Sequence, residues 1–183
     1  MAGMTLLVVR CPACGNPLAP GDDDLAIACT QCGAGLLLAD DGPQPIEIQY
    51  AQSSLARVNT WRPWWIFTGR VNLIRRETQS GNRSEEARRF WAQPRVMSVP
   101  AWELSISAVK QAGLQMLRQP PALKAIPRPS GAQLTPAVVS AEDARKMLEF
   151  LILTLEAGRD DWLKTLDFQI EAGPPQLWAI AAE

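Results

Sequence analysis

Four cysteines are the residues of this chain whose types and spacing most clearly permit chemistry. They form two pairs, Cys11-Pro12-Ala13-Cys14-Gly15 and Cys29-Thr30-Gln31-Cys32-Gly33, with fourteen residues between the pairs. Two residues between thiols let one tight turn aim both sulfurs at the same point. The glycine straight after each second cysteine can take the positive φ that closes such a turn. Two turns of this kind supply four thiolates, enough for a closed tetrahedral zinc site with one ion per chain. Four buried, unligated cysteines would account for neither the spacing nor the two glycines. A closed four-sulfur set leaves no coordination position for water or substrate, so the metal is expected to stabilise rather than to catalyse.

The rest of the chain offers little other reactive chemistry. There is no histidine among the 183 residues, which removes the commonest general base, serine triads and every histidine-containing metal set. Gly-x-Ser-x-Gly, phosphate-loop and Gly-x-Gly-x-x-Gly patterns are absent from the sequence. Asp160-Asp161 and Glu85-Glu86 are adjacent carboxylates in expected loops and read as solvated surface. No catalytic residue is assigned, and the chain reads as a non-enzyme.

The positions around the cysteines contain the two further runs that a small β-module needs. Leu18 to Ala28 has room for a turn at Pro20-Gly21-Asp22 and a strand Leu25–Cys29, and Thr5–Val9 and Leu36–Ala39 supply two more short strands. With the double Cys-x-x-Cys-Gly knuckle, residues 4–40 resemble the zinc-ribbon family. The resemblance implies a three-stranded sheet clamped by one structural zinc ion, with Cys11, Cys14, Cys29 and Cys32 as its ligands. Rubredoxins use similar knuckles for iron, but hold them farther apart and surround the metal with aromatics. Residues 4–40 contain no aromatic, which favours zinc.

Charge is divided along the chain although the net charge is only −1. Residues 1–56 carry Arg10 against six acidic side chains, whereas residues 57–95 carry nine arginines against Glu77, Glu85 and Glu86. These arginines interleave with Trp61, Trp64, Trp65, Phe67, Phe90 and Trp91. Arginine on phosphates and rings under bases is one way to hold single-stranded nucleic acid, so the 57–95 segment gives one reading of function. Against it stand Asp22–Asp24 near the knuckles and the placing of Trp65 and Phe67 on an apolar strand face. The preferred reading is a zinc-binding adaptor or accessory subunit working through protein–protein contact or self-association. Seven tryptophans are many for one modest core. The expected interaction surface is Trp61, Trp64, Arg70, Arg75, Arg76, Arg88, Arg89, Trp91 and Trp178, the tryptophans either facing a partner or covering the core from its edge. Peripheral contact with a membrane surface is a weaker form of the same idea.

The elements expected beyond the ribbon begin after a connector at 41–63 that includes a short strand Ile46–Ala51. A domain at 64–183 follows. Trp65, Phe67, Val71 and Leu73 recur at period two against Thr68, Arg70, Asn72 and Arg76, which predicts a half-buried strand over 64–77, with Gly69 at a bulge or a close backbone approach. Thr78–Glu86 is polar and reads as a hairpin loop, leading to a strand at 95–99. Glu103–Arg118 reads as a helix with Ile106, Val109, Gly113, Met116 and Leu117 on one face, stopped by Pro120-Pro121. Ser140 as N-cap, Asp143 three residues on and Gly158 beyond the end frame a second helix. Strands at 161–171 and 177–181, turned by Gly173-Pro174-Pro175, would form a closing hairpin. The expected architecture is α+β in ββααββ order, with an antiparallel sheet. No apolar run approaches the ~18 residues of a membrane span, and no basic leader precedes the run Leu6–Val9, so the expected compartment is cytoplasmic.

Overall fold

The computed structural model describes residues 9–55 and 58–182. The first unit is a three-stranded antiparallel sheet, β1 (Ala26–Ala28), β2 (Gly35–Ala39) and β3 (Gly42–Pro45), in that spatial order. Its third strand follows the second cysteine pair and is turned by Asp40-Asp41, with Gly42 at φ 119°. The strand expected at Thr5–Val9 lies outside the described residues except for Val9. The small sheet is joined to the rest at Ala26, whose amide and carbonyl both bond to Ala137.

The second unit is built on one strand. After β4 (Ile48–Ala51), β5 runs from Thr60 to Thr78. Trp64, Trp65, Ile66 and Phe67 are all buried, because this half of β5 is covered on both faces. From Thr68 onward Val71 and Leu73 are buried while Arg70, Asn72 and Ile74 are exposed, so this half has one solvated face. The alternation breaks at Ile74, where the register slips between Leu73 and Arg75. A bulge of this kind inserts one residue and turns the next side chains to the opposite face. Arg76, expected outward with Arg70 and Asn72, therefore points inward.

β9 (Leu163–Ala172) and β10 (Gln176–Ala181) do not pair with each other as the expected hairpin requires. Both run antiparallel along one edge of β5, with Leu163–Ala172 opposite its second half and Gln176–Ala181 opposite its first. Pro174 and Pro175 have no N–H to give to the ladder, so they interrupt it without reversing the chain. Gly173 keeps the contact by donating to the Thr68 carbonyl at 3.2 Å. β6 (Arg95–Pro100) takes the other edge of β5. β4 then adds parallel to β10, β7 (Ala125–Ile126) antiparallel to β4, and β8 (Gln133–Leu134) parallel to the start of β5. The large sheet is thus mixed rather than wholly antiparallel.

Three helices occur among the described residues: α1 (Ser84–Ala92), α2 (Ile106–Arg118) and α3 (Ala141–Ala157). The fold is α+β as expected, but the ββααββ order is replaced by a longer alternation of strands and helices. α1 occupies part of the expected loop. It is short, has no side-chain N-cap bond, and buries only Ala87 and Trp91, a single i,i+4 pair in a polar stretch. α3 is framed as the sequence predicts: Ser140 Oγ accepts from the Asp143 amide at 3.0 Å. In α2, Ile106 is 80% exposed rather than on the buried face, and Gly113, Leu114 and Leu117 make the contact. No helix of the described residues is long and apolar enough to cross a membrane.

Gly69 is a close approach, since a Cβ there would collide with the Glu171 carbonyl and lie 2.6 Å from the Ala172 Cα. These are backbone atoms that cannot swing aside. Gly69→Ala is expected to destabilise the body by about 1–3 kcal/mol, read as a lower midpoint in chemical denaturation followed by tryptophan emission. An unchanged midpoint would contradict the packing described.

Candidate metal centre

The two knuckles are built alike. In the first, the Cys11 amide donates to the Asn16 carbonyl at 2.9 Å and the Gly15 amide to the Cys11 carbonyl at 2.8 Å. In the second, the Cys29 amide donates to the Ala34 carbonyl and the Gly33 amide to the Cys29 carbonyl, both at 2.8 Å. Gly15 and Gly33 sit at φ 73° and 78°, the left-handed conformation that a side chain resists. Arg10 bridges to Pro17 as Ala28 pairs with Gly35, so each turn is closed by the same strand pairing.

This repetition brings the four sulfurs together, every pair within 4.8 Å. Cys11 and Cys32 Sγ are 3.7 Å apart, and Cys14 and Cys29 Sγ 3.8 Å. A zinc ion bound at about 2.3 Å by four sulfurs sets tetrahedron edges of about 3.8 Å. The donor set therefore fits zinc in number, chemistry and spacing. Cys11 and Cys29 are buried, and Cys14 and Cys32 face solvent.

The backbone stabilises thiolate unequally. The Asn16 amide, helped by its side-chain amide at 3.4 Å, holds the Cys14 thiol down to about 6. The Cys32 amide likewise lowers Cys29. Cys32 receives the Ala34 amide, yet partial desolvation and the other three sulfurs push it up to about 11. Four crowded sulfurs cannot all ionise without a cation among them, so metal uptake must displace protons. Among the described residues the hydrophobic cluster beneath is small, with Leu36 its one fully buried aliphatic and Leu18, Ile27 and Ala34 half-buried around it. A core of this size does not hold a module without a clamp.

The other residues expected at a functional surface do not assemble into one. Trp61, Trp64, Trp91 and Trp178 are buried, which corrects their assignment as partner-facing. They fit because β5 is packed on both faces and supports several clusters. Trp65 and Trp91 lie in the largest, Trp64, Trp102 and Trp178 behind it, and Trp61 against Tyr50. Trp162 is the one exposed tryptophan, at 69%, and nothing in the hydrophobic pattern singled it out. Arg70 pairs with Glu171 at 2.7 Å, Arg75 with Glu77 at 2.8 Å and Arg88 with Glu85 at 3.2 Å, while Arg89 donates to the Glu85 carbonyl at 3.4 Å. Arg57 lies outside the described residues. The rings at 61, 64, 65 and 91 are not available to stack on bases.

Arg76 is fully buried in an ion cluster that sequence reasoning missed. Its Nε donates to Glu156 at 2.8 Å, and Nη1 and Nη2 donate to the two oxygens of Asp161 at 2.6 and 2.7 Å. Trp91 and Arg159 both donate to Glu156, at 2.7 and 2.8 Å, and the Arg83 amide donates to Asp161 at 2.9 Å. Asp161, expected in solvent, is buried here. Every charge is matched, so the cluster fastens β5, α1 and the end of α3 together.

Compared with family models, curated proteins and solved structures, the chain matches none of them.

Proposed function

We propose that this chain is a non-catalytic, zinc-binding adaptor or accessory subunit that acts through contact with another protein or a second copy of itself. The observation that carries the reading is the four-sulfur cluster, whose spacing suits an ion fully coordinated by protein. Such an ion holds a shape and offers no place to a substrate. The surface supplies apolar handles of the kind contact requires, with Ile106 and Phe150 exposed on α2 and α3 and Trp162 on its own.

The reading is tested by metal analysis together with sedimentation and in-cell cross-linking. One zinc per chain is expected, with a stoichiometric companion or a self-associated species that the paired substitutions Ile106→Asp and Phe150→Asp remove. A monomer without companion overturns the adaptor reading. Oligonucleotides are expected to show no mobility shift at low salt; a shift would favour the nucleic-acid reading of the 57–95 arginines.

A further inference from the structure

Among the described residues of the body, Arg95 is the one arginine with a buried nitrogen that has no acceptor. Arg95 opens β6, and its guanidinium lies 3.5 Å from the centroid of the Phe90 ring while Nη2 donates to the Phe90 carbonyl at 2.6 Å. These contacts hold the planar fork against the last turn of α1. No carboxylate among the described residues lies within ion-pair distance of it, and its buried Nε has no acceptor. Burial, and then the nearby charge of Arg159, hold Arg95 below the usual arginine range. Arg159 is itself matched by Glu156 and Glu86.

A cleft of about 480 Å³ opens beside it, between the start of β6 and the segment after α2. Arg118, exposed in the last turn of α2, reaches the same cleft, and it too has no acid within ion-pair distance among the described residues. Thr68 adds a hydroxyl that makes no bond to the described protein, and Phe90, Pro120 and Pro121 give apolar walls. No acidic residue lines the space, in a chain whose acids slightly outnumber its bases.

Two guanidinium charges and a hydroxyl border one opening, where the exposed Arg118 is free to give an oxyanion paired N–H donors while Arg95, its Nη2 on the Phe90 carbonyl and its Nε buried, adds its charge. A carboxylate would neutralise one of the two arginines, whereas a phosphate monoester, doubly charged near neutral pH, neutralises both. The cleft is wide open to solvent and larger than inorganic phosphate needs, which leaves room for the organic part of a small ester. We propose that the cleft between Arg95 and Arg118 binds a small organic phosphate monoester, its oxyanion held by the Arg118 fork in the field of the Arg95 charge and its apolar part against Phe90 and the prolines. This site is independent of the metal centre and of the adaptor reading.

The test titrates phenyl phosphate into the zinc-loaded full chain, with calorimetry for affinity and the Arg95 Nε–H resonance as a local reporter. Saturable 1:1 binding that moves this resonance is expected, with benzoate and phenol binding more weakly. Arg118→Gln, at an exposed position, should keep the wild-type melting temperature and weaken binding roughly tenfold or more. Arg118→Lys should recover part of the loss. Absence of saturable binding, equal binding of benzoate, or unchanged affinity in Arg118→Gln would each overturn the proposal. So would salt-sensitive binding of oligonucleotides without binding of phenyl phosphate, which would mark the cleft as a backbone contact for nucleic acid.

Discussion

Chelating the metal that the four-sulfur site is proposed to hold, or replacing Cys29 by Ser, is expected to unfold the small sheet around the knuckles, called the ribbon below, while the body stays folded. Structural zinc in small modules contributes an apparent 10–16 kcal/mol or so at neutral pH. The cluster under Cys11, Cys29 and Leu36 has little apolar burial to set against that loss. Cys29 is buried and its sulfur lies 3.8 Å from that of Cys14, so a serine there leaves three sulfurs and an ill-matched oxygen. The two units can be observed separately, because all seven tryptophans lie at position 61 or later. Ribbon amide resonances should collapse and zinc content fall towards zero, while tryptophan emission keeps its native wavelength. A modest drop in the melting temperature of the body is expected too, since Ala26 belongs to the main core and bonds Ala137. Full retention of zinc by Cys29→Ser, or a ribbon that remains folded without metal, would disprove the assignment.

The second large effect is expected from Arg76→Met. With the guanidinium gone, Glu156 and Asp161 remain in the interior, Asp161 losing both of its side-chain hydrogen bonds. Breaking a buried charge cluster from one side typically costs about 3–5 kcal/mol, which for a body of this size lowers the melting temperature by roughly 10 °C. Replacing Arg76, Glu156 and Asp161 together by apolar residues of similar volume should recover much of the loss, because no charge is then left alone. A single Arg76→Met variant that melts like the wild type would mean the cluster does not hold the elements together. The same site predicts acid sensitivity. Arg76, against some opposing burial, keeps the Asp161 carboxyl at about 2 rather than its ordinary 3.8. A carboxyl depressed in the folded state stabilises above its unfolded pKa, and that stabilisation is lost as pH falls from about 4 towards 2. Its size is on the order of 2 kcal/mol. Asp161→Asn should flatten this part of the stability profile.

What could be read beforehand was what depends on near neighbours in the chain. The knuckles are legible because Cys11 to Asn16 and Cys29 to Ala34 close their own turns. α3 is legible because Ser140, Asp143 and an unbroken apolar stripe agree on one helix. The failures arise where distant partners decide. Arg76 looks outward until a bulge at Ile74, set by pairing with β9, turns it inward. Gly173-Pro174-Pro175 looks like a reversal until β5 provides an edge long enough to carry β9 and β10 in line. The buried tryptophans required knowing that β5 is covered twice over, which period-two reading of one strand cannot show. Arg95 gave no signal at all, since its isolation is a property of what does not surround it.

The in-line arrangement of β9 and β10 has a consequence for how the molecule forms. Gly69 must find Ala172, and Trp64 must find Trp178, each partner roughly a hundred positions later in the chain. Such distant pairings close slowly, because a long loop must be drawn in before any contact rewards it. During synthesis Trp64, Trp65, Ile66 and Phe67 therefore leave the ribosome well before the strand that will cover their edge exists. For that interval the newborn chain carries a bare, sticky β-edge, and the yield of native molecules should depend on translation speed and chaperone supply more than on final stability.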